Sequence, residues 1–170
     1  YFGQLVSGVT ARNMMRSLFV NKGAADKLVR RPKGIEKSRV TKLGILGAGM
    51  MGAGVAYVSA RAGMQVVLLD TDLEGAKRGK AYSEGLLNKA IKRGYSTQEK
   101  AQALLGMIHP TTDYADLEGC ELVIEAVFEN REIKAAVTAK TEAVIPATAV
   151  FASNTSTLPI TGLAQASKRP

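Results

Sequence analysis

The sequence predicts an α/β fold, a doubly wound and mostly parallel sheet preceded by an N-terminal helix. Three observations predict it. Short apolar runs alternate with longer segments of helical periodicity, and strands separated by helices imply a parallel sheet covered on both faces. The first run leads straight into a glycine turn, Gly47-Ala48-Gly49-Met50-Met51-Gly52, that opens a helix. The second run ends on an acid, Asp70, at the separation of about 20 residues expected after such a turn.

The chain of 170 residues is long enough for one ordinary domain plus an appendage. It divides into two parts. In residues 1 to 39, Phe2, Leu5, Val6, Val9, Met14, Met15, Leu18 and Phe19 recur at helical spacing, with Arg12, Arg16 and Lys22 between them. This is the pattern of an amphipathic linker helix whose apolar stripe needs a partner. From Lys27 to Arg39 the chain is charged and carries Pro32 and Gly34, so it reads as a linker. The first residue is not Met, and the chain is expected to be a piece of something longer.

Residues 40 to 170 form the second part. Lys42 to Leu46 is a buried strand, and Met50 to Ala62 a helix rich in small residues. Gln65 to Asp70 is the second strand. A long polar helix follows from Leu73 to about Arg93, stopped by Gly94. A further helix spans Thr97 to Leu105, with Ser96 as its expected cap and Glu99 as the capping-box acid. Met107 to His109 is a short strand that Pro110 should end. Glu121 to Ala126 is a strand, Arg131 to Val144 a helix left at Pro146, and Ala149 to Ala152 a strand. One more helix begins at Ile160.

The glycine turn carries the chemistry. Gly47 permits a tight turn out of the strand, Gly49 lets the backbone approach a pyrophosphate, and Gly52 lets the helix pack closely on the strand. The helix start, with Met50 and Met51 in its first turn, presents free N–H groups and a partial positive charge to phosphates. Asp70 should accept hydrogen bonds from the adenosine ribose hydroxyls, and its charge would repel a 2′-phosphate, so NAD is preferred to NADP. The arrangement is a Rossmann-type fold. In such sheets ligands sit at the carboxyl ends of strands near the switch point. The segments at 125 to 130 and 151 to 156 both end there.

Composition narrows the chemistry. Cys120 and His109 are the single cysteine and histidine, so an intrachain disulfide and a Cys-rich metal site are excluded and no metal is expected. His109, beside Pro110 at a strand end, reads as structural. No apolar run is long enough to span a bilayer, and the start lacks the pattern of a signal peptide. The formal net charge is +8, concentrated in residues 1 to 41, where nine Lys/Arg face Asp26 and Glu36. Few aromatics lie there, so no base-stacking platform is indicated and no nucleic-acid partner is expected.

Three motifs, ILGAGMMGAGVA, VIEAVFEN and VFASNTSTLPI, in this order and spacing, resemble the NAD-binding domain of L-3-hydroxyacyl-CoA dehydrogenases. The segments YFGQLV and MMRSLFV resemble the linker helix of the multifunctional fatty acid oxidation α-subunit. In that protein an enoyl-CoA hydratase module, a lyase, precedes the dehydrogenase. The resemblance implies that Gly47, Gly49, Gly52 and Asp70 bind the cofactor. It further implies that Glu129 and Lys134 approach its nicotinamide end and Asn154 shapes the nicotinamide pocket. Ser156 would hydrogen-bond the substrate oxygen at C3. Read from the residues alone, Glu129 and Lys134 would be a solvated helix start, and the polar run after Phe151 either a turn and helix cap or a set of hydroxyls and amides presented to a substrate. The family's catalytic base, a histidine paired with a glutamate, lies in a GxHFFNP-like segment expected beyond Pro170, as is the family's helical C-terminal domain, so the chain is expected to bind NAD without turning over. Further implied partners are an acyl-CoA substrate, the upstream hydratase module, the downstream helical domain and a thiolase subunit. The implied compartment is a bacterial cytoplasm or a mitochondrial matrix. Three other readings compete: a non-catalytic NAD-binding or partner-docking module; another NAD-dependent hydroxyacid dehydrogenase, which fold alone does not reject; and nucleic-acid binding through the basic N-terminal segment.

Overall fold

The structure, a computed structural model, describes all residues from Tyr1 to Pro170. They form two compact units, Tyr1–Ser38 and Arg39–Pro170.

The first unit is helical but not one helix. It comprises α1 (Phe2–Ser7), α2 (Val9–Met15), a π-helical turn (Arg16–Asn21) and α3 (Lys22–Asp26). Gly8 makes the first break, with an extended backbone at ψ 156°. A weak helix former there concedes the break cheaply. None of these helical residues is buried, so the stripe that includes Phe2, Leu5 and Val9 stands exposed.

The second unit is a five-stranded sheet, every pairing parallel: β1 (Lys42–Leu46), β2 (Gln65–Leu69), β3 (Ile108–Thr111), β4 (Leu122–Glu125) and β5 (Val150–Ser153). The order is β3-β2-β1-β4-β5. The chain therefore reverses its direction of growth at β1, which opens a switch point between β1 and β4. The helices are α4 (Met50–Arg61), α5 (Leu73–Lys92), α6 (Gln98–Gly106), α7 (Arg131–Glu142) and α8 (Ile160–Ala164).

Alternation along the strands sends side chains to opposite faces. Leu43, Ile45, Val66, Leu68 and Ile108 pack with Ala56 and Ala60 of α4. Leu46, Val67, Leu69 and Val123 pack with Leu117, Cys120 and Ile145, with Val137 of α7 beside them. Burial on both faces is why β1 and β2 read as continuous apolar runs instead of alternating ones. Each fully buried Leu or Ile contributes about 1.5–3 kcal/mol.

Three local expectations are corrected. Thr97, not Ser96, caps α6, its hydroxyl accepting from the Lys100 N–H at 3.3 Å. Glu99 then stands one position short of a capping box. Pro110 does not end its strand but lies inside β3. An edge strand tolerates this, because one row of its N–H groups faces no neighbour. A 3-10 turn at Tyr114–Leu117, capped by Asp113, was not foreseen.

Candidate active site

The glycine turn joins β1 to α4. Gly47 has φ +94°, and a Cβ there would stand 2.6 Å from the Ala126 carbonyl oxygen, in the segment leaving β4. Both the left-handed backbone and the close approach require glycine. Gly52 is pressed still harder: a Cβ there would lie 1.8 Å from the Gly47 carbonyl oxygen. Gly49, the cap residue of α4, differs. Nothing lies within 4 Å of the position its Cβ would take, so this side of the turn is open to a ligand. The first N–H groups of a helix have no intrahelical partner, and the first turn of α4 carries no acid to compete for them. The side chains of Met50 and Met51 are exposed there. The end of α4 is thus built to receive an anion.

Asp70 follows β2 directly. One carboxylate oxygen accepts the Ala48 N–H at 2.7 Å, and the other accepts the Thr71 N–H at 2.6 Å. These bonds aim the carboxylate at the glycine turn. It lines a cleft with Gly49, Gly75, Arg78 and Tyr82. A neighbouring cleft at the carboxyl ends of β1 and β2 is lined by Gly47, Thr71, Val127 and Ile133.

The carboxyl ends of β4 and β5 hold a second cluster. Lys134, in the first turn of α7, is 2% exposed, and Glu125, at the end of β4, is 1% exposed. Their ammonium and carboxylate meet at 2.8 and 2.9 Å. The Lys134 ammonium also lies 3.2 Å from Glu129, whose side chain is about one-third exposed. Glu125 further accepts the Val127 N–H at 2.8 Å and the Ser153 hydroxyl at 2.7 Å. Glu129 accepts the Thr155 hydroxyl, the Thr157 hydroxyl at 2.9 Å and the Thr157 N–H at 3.2 Å. The Thr155 hydroxyl holds the Glu129 carboxyl well below the usual carboxylate range, outweighing desolvation, and the Thr157 hydroxyl and the Lys134 ammonium add smaller effects in the same direction.

The structure thus gathers Gly47, Gly49, Met50, Met51, Gly52 and Asp70 at one end of the sheet, on the β1–β2 side. It places Glu129, Lys134, Asn154 and Ser156 on the β4–β5 side of the same end. Asn154 and Ser156 are exposed, on either side of Thr155. The reading of Lys134 as part of a solvated helix start is corrected, because its ammonium is buried between two carboxylates. The segments at 125 to 130 and 151 to 156 were marked from the residues, but no individual role was assigned to Glu125, Ser153, Thr155 or Thr157. The available signal was an acid closing an apolar strand, with a lysine nine residues later. His109 lies on β3, beside Asp116 at 3.4 Å, and two strands, β2 and β1, lie between β3 and β4.

Residues 42–170 match the family described as 3-hydroxyacyl-CoA dehydrogenase, NAD binding domain. Among solved structures, the chain is similar to (S)-3-hydroxybutyryl-CoA dehydrogenase PaaH1 from Ralstonia eutropha (33% identity, TM-score 0.73, 77% of this chain and 46% of that one). It is also similar to FadB2 from M. tuberculosis (37%, TM-score 0.74, 78% and 47%). A third is 3-hydroxybutyryl-CoA dehydrogenase from Escherichia coli K12 (36%, TM-score 0.71, 75% and 27%). The chain spans less than half the length of each of these relatives. Its Rossmann unit belongs to the 3-hydroxyacyl-CoA dehydrogenase family, as that family's NAD-binding domain.

Proposed function

We propose that this unit holds NAD for the oxidation of a 3-hydroxyacyl-CoA to the 3-ketoacyl-CoA. The juxtaposition across the switch point carries the reading: an anion-receiving turn beside an aimed carboxylate on one side, and a charged, hydroxyl-rich cluster on the other. A dinucleotide laid across that crevice would meet both. Gly47, Gly49, Gly52, Met50 and Met51 would receive the pyrophosphate, and Asp70 the adenosine ribose. Glu129, Lys134 and Asn154 would surround the nicotinamide end. The bound cofactor supplies the hydride acceptor. Ser156 would donate its hydroxyl to the substrate oxygen at C3, holding that carbon in line.

A proton must also leave the substrate hydroxyl. Neither Glu129 nor Lys134 suits that task, since each is already engaged by an opposite charge. His109, on the far side of the sheet, is out of reach. The chain alone is therefore proposed to bind NAD without useful turnover, since losing a general base costs about 100-fold or more. The base would come from a GxHFFNP-like segment beyond Pro170 in a whole enzyme that would also carry a downstream helical domain and an upstream enoyl-CoA hydratase module and pair with a thiolase subunit. The N-terminal segment's resemblance to the linker helix supports that setting. No helix is long and apolar enough to cross a membrane, and a bacterial cytoplasm or a mitochondrial matrix would suit such an enzyme.

Titration calorimetry with NAD and NADP tests the cofactor reading. NAD should bind at least about tenfold tighter, the worth of one favourable charged hydrogen bond, and equal affinities would refute it. NADH formation from 3-hydroxybutyryl-CoA tests the second part, and turnover matching a complete dehydrogenase would refute it.

A further inference from the structure

We infer that Glu125 is a positioning residue for the nicotinamide half of the cofactor, acting through Lys134 and Ser153. This rests on the reading that the nicotinamide lies against the segments following β4 and β5. Glu125 itself is 1% exposed and would act through its partners. It is the point from which both segments hang.

The bonding shows why. An ionised carboxylate offers about four acceptor positions, and those of Glu125 are filled. One oxygen takes the Lys134 ammonium and the Val127 N–H, and the other takes the Lys134 ammonium and the Ser153 hydroxyl. These partners come from α7, the segment after β4 and the end of β5. The third donor of Lys134 is then left to meet Glu129 at 3.2 Å. Glu129 in turn accepts from Thr155 and Thr157 beyond β5. The network closes on itself: Glu125 to Lys134 to Glu129 to Thr155, and back through Ser153. Glu129 is its one partly exposed charged member. A buried ion pair is a weak source of net stability compared with apolar packing. Retaining one here fixes direction instead, holding the exposed carboxylate and the SNTS segment in a single arrangement.

A purely structural pair would affect all ligands of the site alike. A positioning pair would affect only those that reach the β4–β5 side. ADP-ribose carries the pyrophosphate and adenosine ribose but no nicotinamide, so it separates the two. The measurement is calorimetric affinity of the chain for NAD and for ADP-ribose, in the unsubstituted protein, Glu125→Gln and Ser153→Ala. Glu125→Gln leaves Lys134 without one counter-charge and should weaken NAD at least about tenfold, the scale of a lost charged hydrogen bond. ADP-ribose should stay within about twofold. Ser153→Ala loses one neutral donor and should weaken NAD about fivefold with the same selectivity. It keeps the test open if Glu125→Gln does not fold. Parallel loss of both ligands, or unchanged NAD affinity in a folded Glu125 variant, would overturn the inference. Equal affinity of the unsubstituted chain for NAD and ADP-ribose would overturn it too, with adenosine binding intact. Failure to bind either ligand would strike at the cofactor reading instead.

Discussion

Gly52→Ala tests the packing that makes the pyrophosphate turn. Its Cβ would lie 1.8 Å from the Gly47 carbonyl oxygen. An ordinary carbon–oxygen contact is about 3.3 Å or more, so α4 must retreat by about 1.5 Å. The obstacle is backbone and has no rotamer to change. The cost should therefore reach the upper end of the overpacking range, about 3 kcal/mol. With a urea slope of about 2 kcal/mol per M, the unfolding midpoint falls by about 1.5 M. Far-UV circular dichroism follows it, since the chain has no Trp. The same retreat carries the first N–H groups of α4 away from the anion, and a hydrogen bond stretched that far no longer counts as one. Two charge-assisted bonds lost, at about 1.5 kcal/mol or more each, weaken NAD by about 100-fold. Gly49→Ala is the companion. Its Cβ meets nothing within 4 Å and its φ is −66°, so stability should change by no more than about 1 kcal/mol. NAD binding should still fall, because the methyl group occupies the ligand's approach. An unchanged midpoint and affinity in Gly52→Ala would refute the packing argument. Loss of stability in Gly49→Ala equal to that in Gly52→Ala would refute the division of roles.

Three further outcomes follow from the same geometry. Asp70→Ala removes the carboxylate proposed to meet the ribose; NAD should weaken about tenfold or more while NADP loses its electrostatic penalty, so calorimetry should show the NAD preference collapse. Lys134→Ala strands the Glu125 carboxylate in the interior and should cost about 3–5 kcal/mol in urea unfolding. Glu125→Leu/Lys134→Met should recover most of that stability, and if it is no more stable than Lys134→Ala the loss is one of packing and not of charge. Glu129 has its folded-state pKa depressed by Thr155, Thr157 and Lys134. Its contribution is therefore fully present above the unfolded value of about 4.3 and lost as pH falls below it towards the folded pKa. The difference in urea midpoint between the protein and Glu129→Gln should be constant above pH ~5 and shrink below pH ~4.

The sheet was legible because its information is local. A buried parallel strand needs a run of apolar residues, and LGIL and VVLL supply it next to a turn whose glycines are dictated by backbone geometry. Gly47 and Gly52 could be assigned roles from the turn alone, since the φ of +94° at Gly47 and the contact of Gly52 with the Gly47 carbonyl oxygen both lie within it. The edge of the sheet was less legible. Whether Pro110 ends a strand or stands within it depends on which side of the strand lacks a neighbour, and that is fixed by the order β3-β2-β1-β4-β5, not by the residues around Pro110. The Glu125 cluster was not legible, for a different reason. Its members lie nine and 28 positions apart, and a lysine in the first turn of a helix satisfies a surface reading as well as a buried one. Three motif segments nonetheless pointed to Glu129 and Lys134, while the pattern of polar and apolar residues pointed to solvent. The structure resolves that conflict by burying the lysine and leaving Glu129 partly exposed. A buried charge pair is a weak source of net stability compared with apolar packing, and such departures from the folding rules concentrate where function constrains the fold. The conflict between motif and pattern thus fell on the one lysine that is buried between two carboxylates, and Glu125, the buried acid that holds it, is the residue to which neither reading alone gave a role.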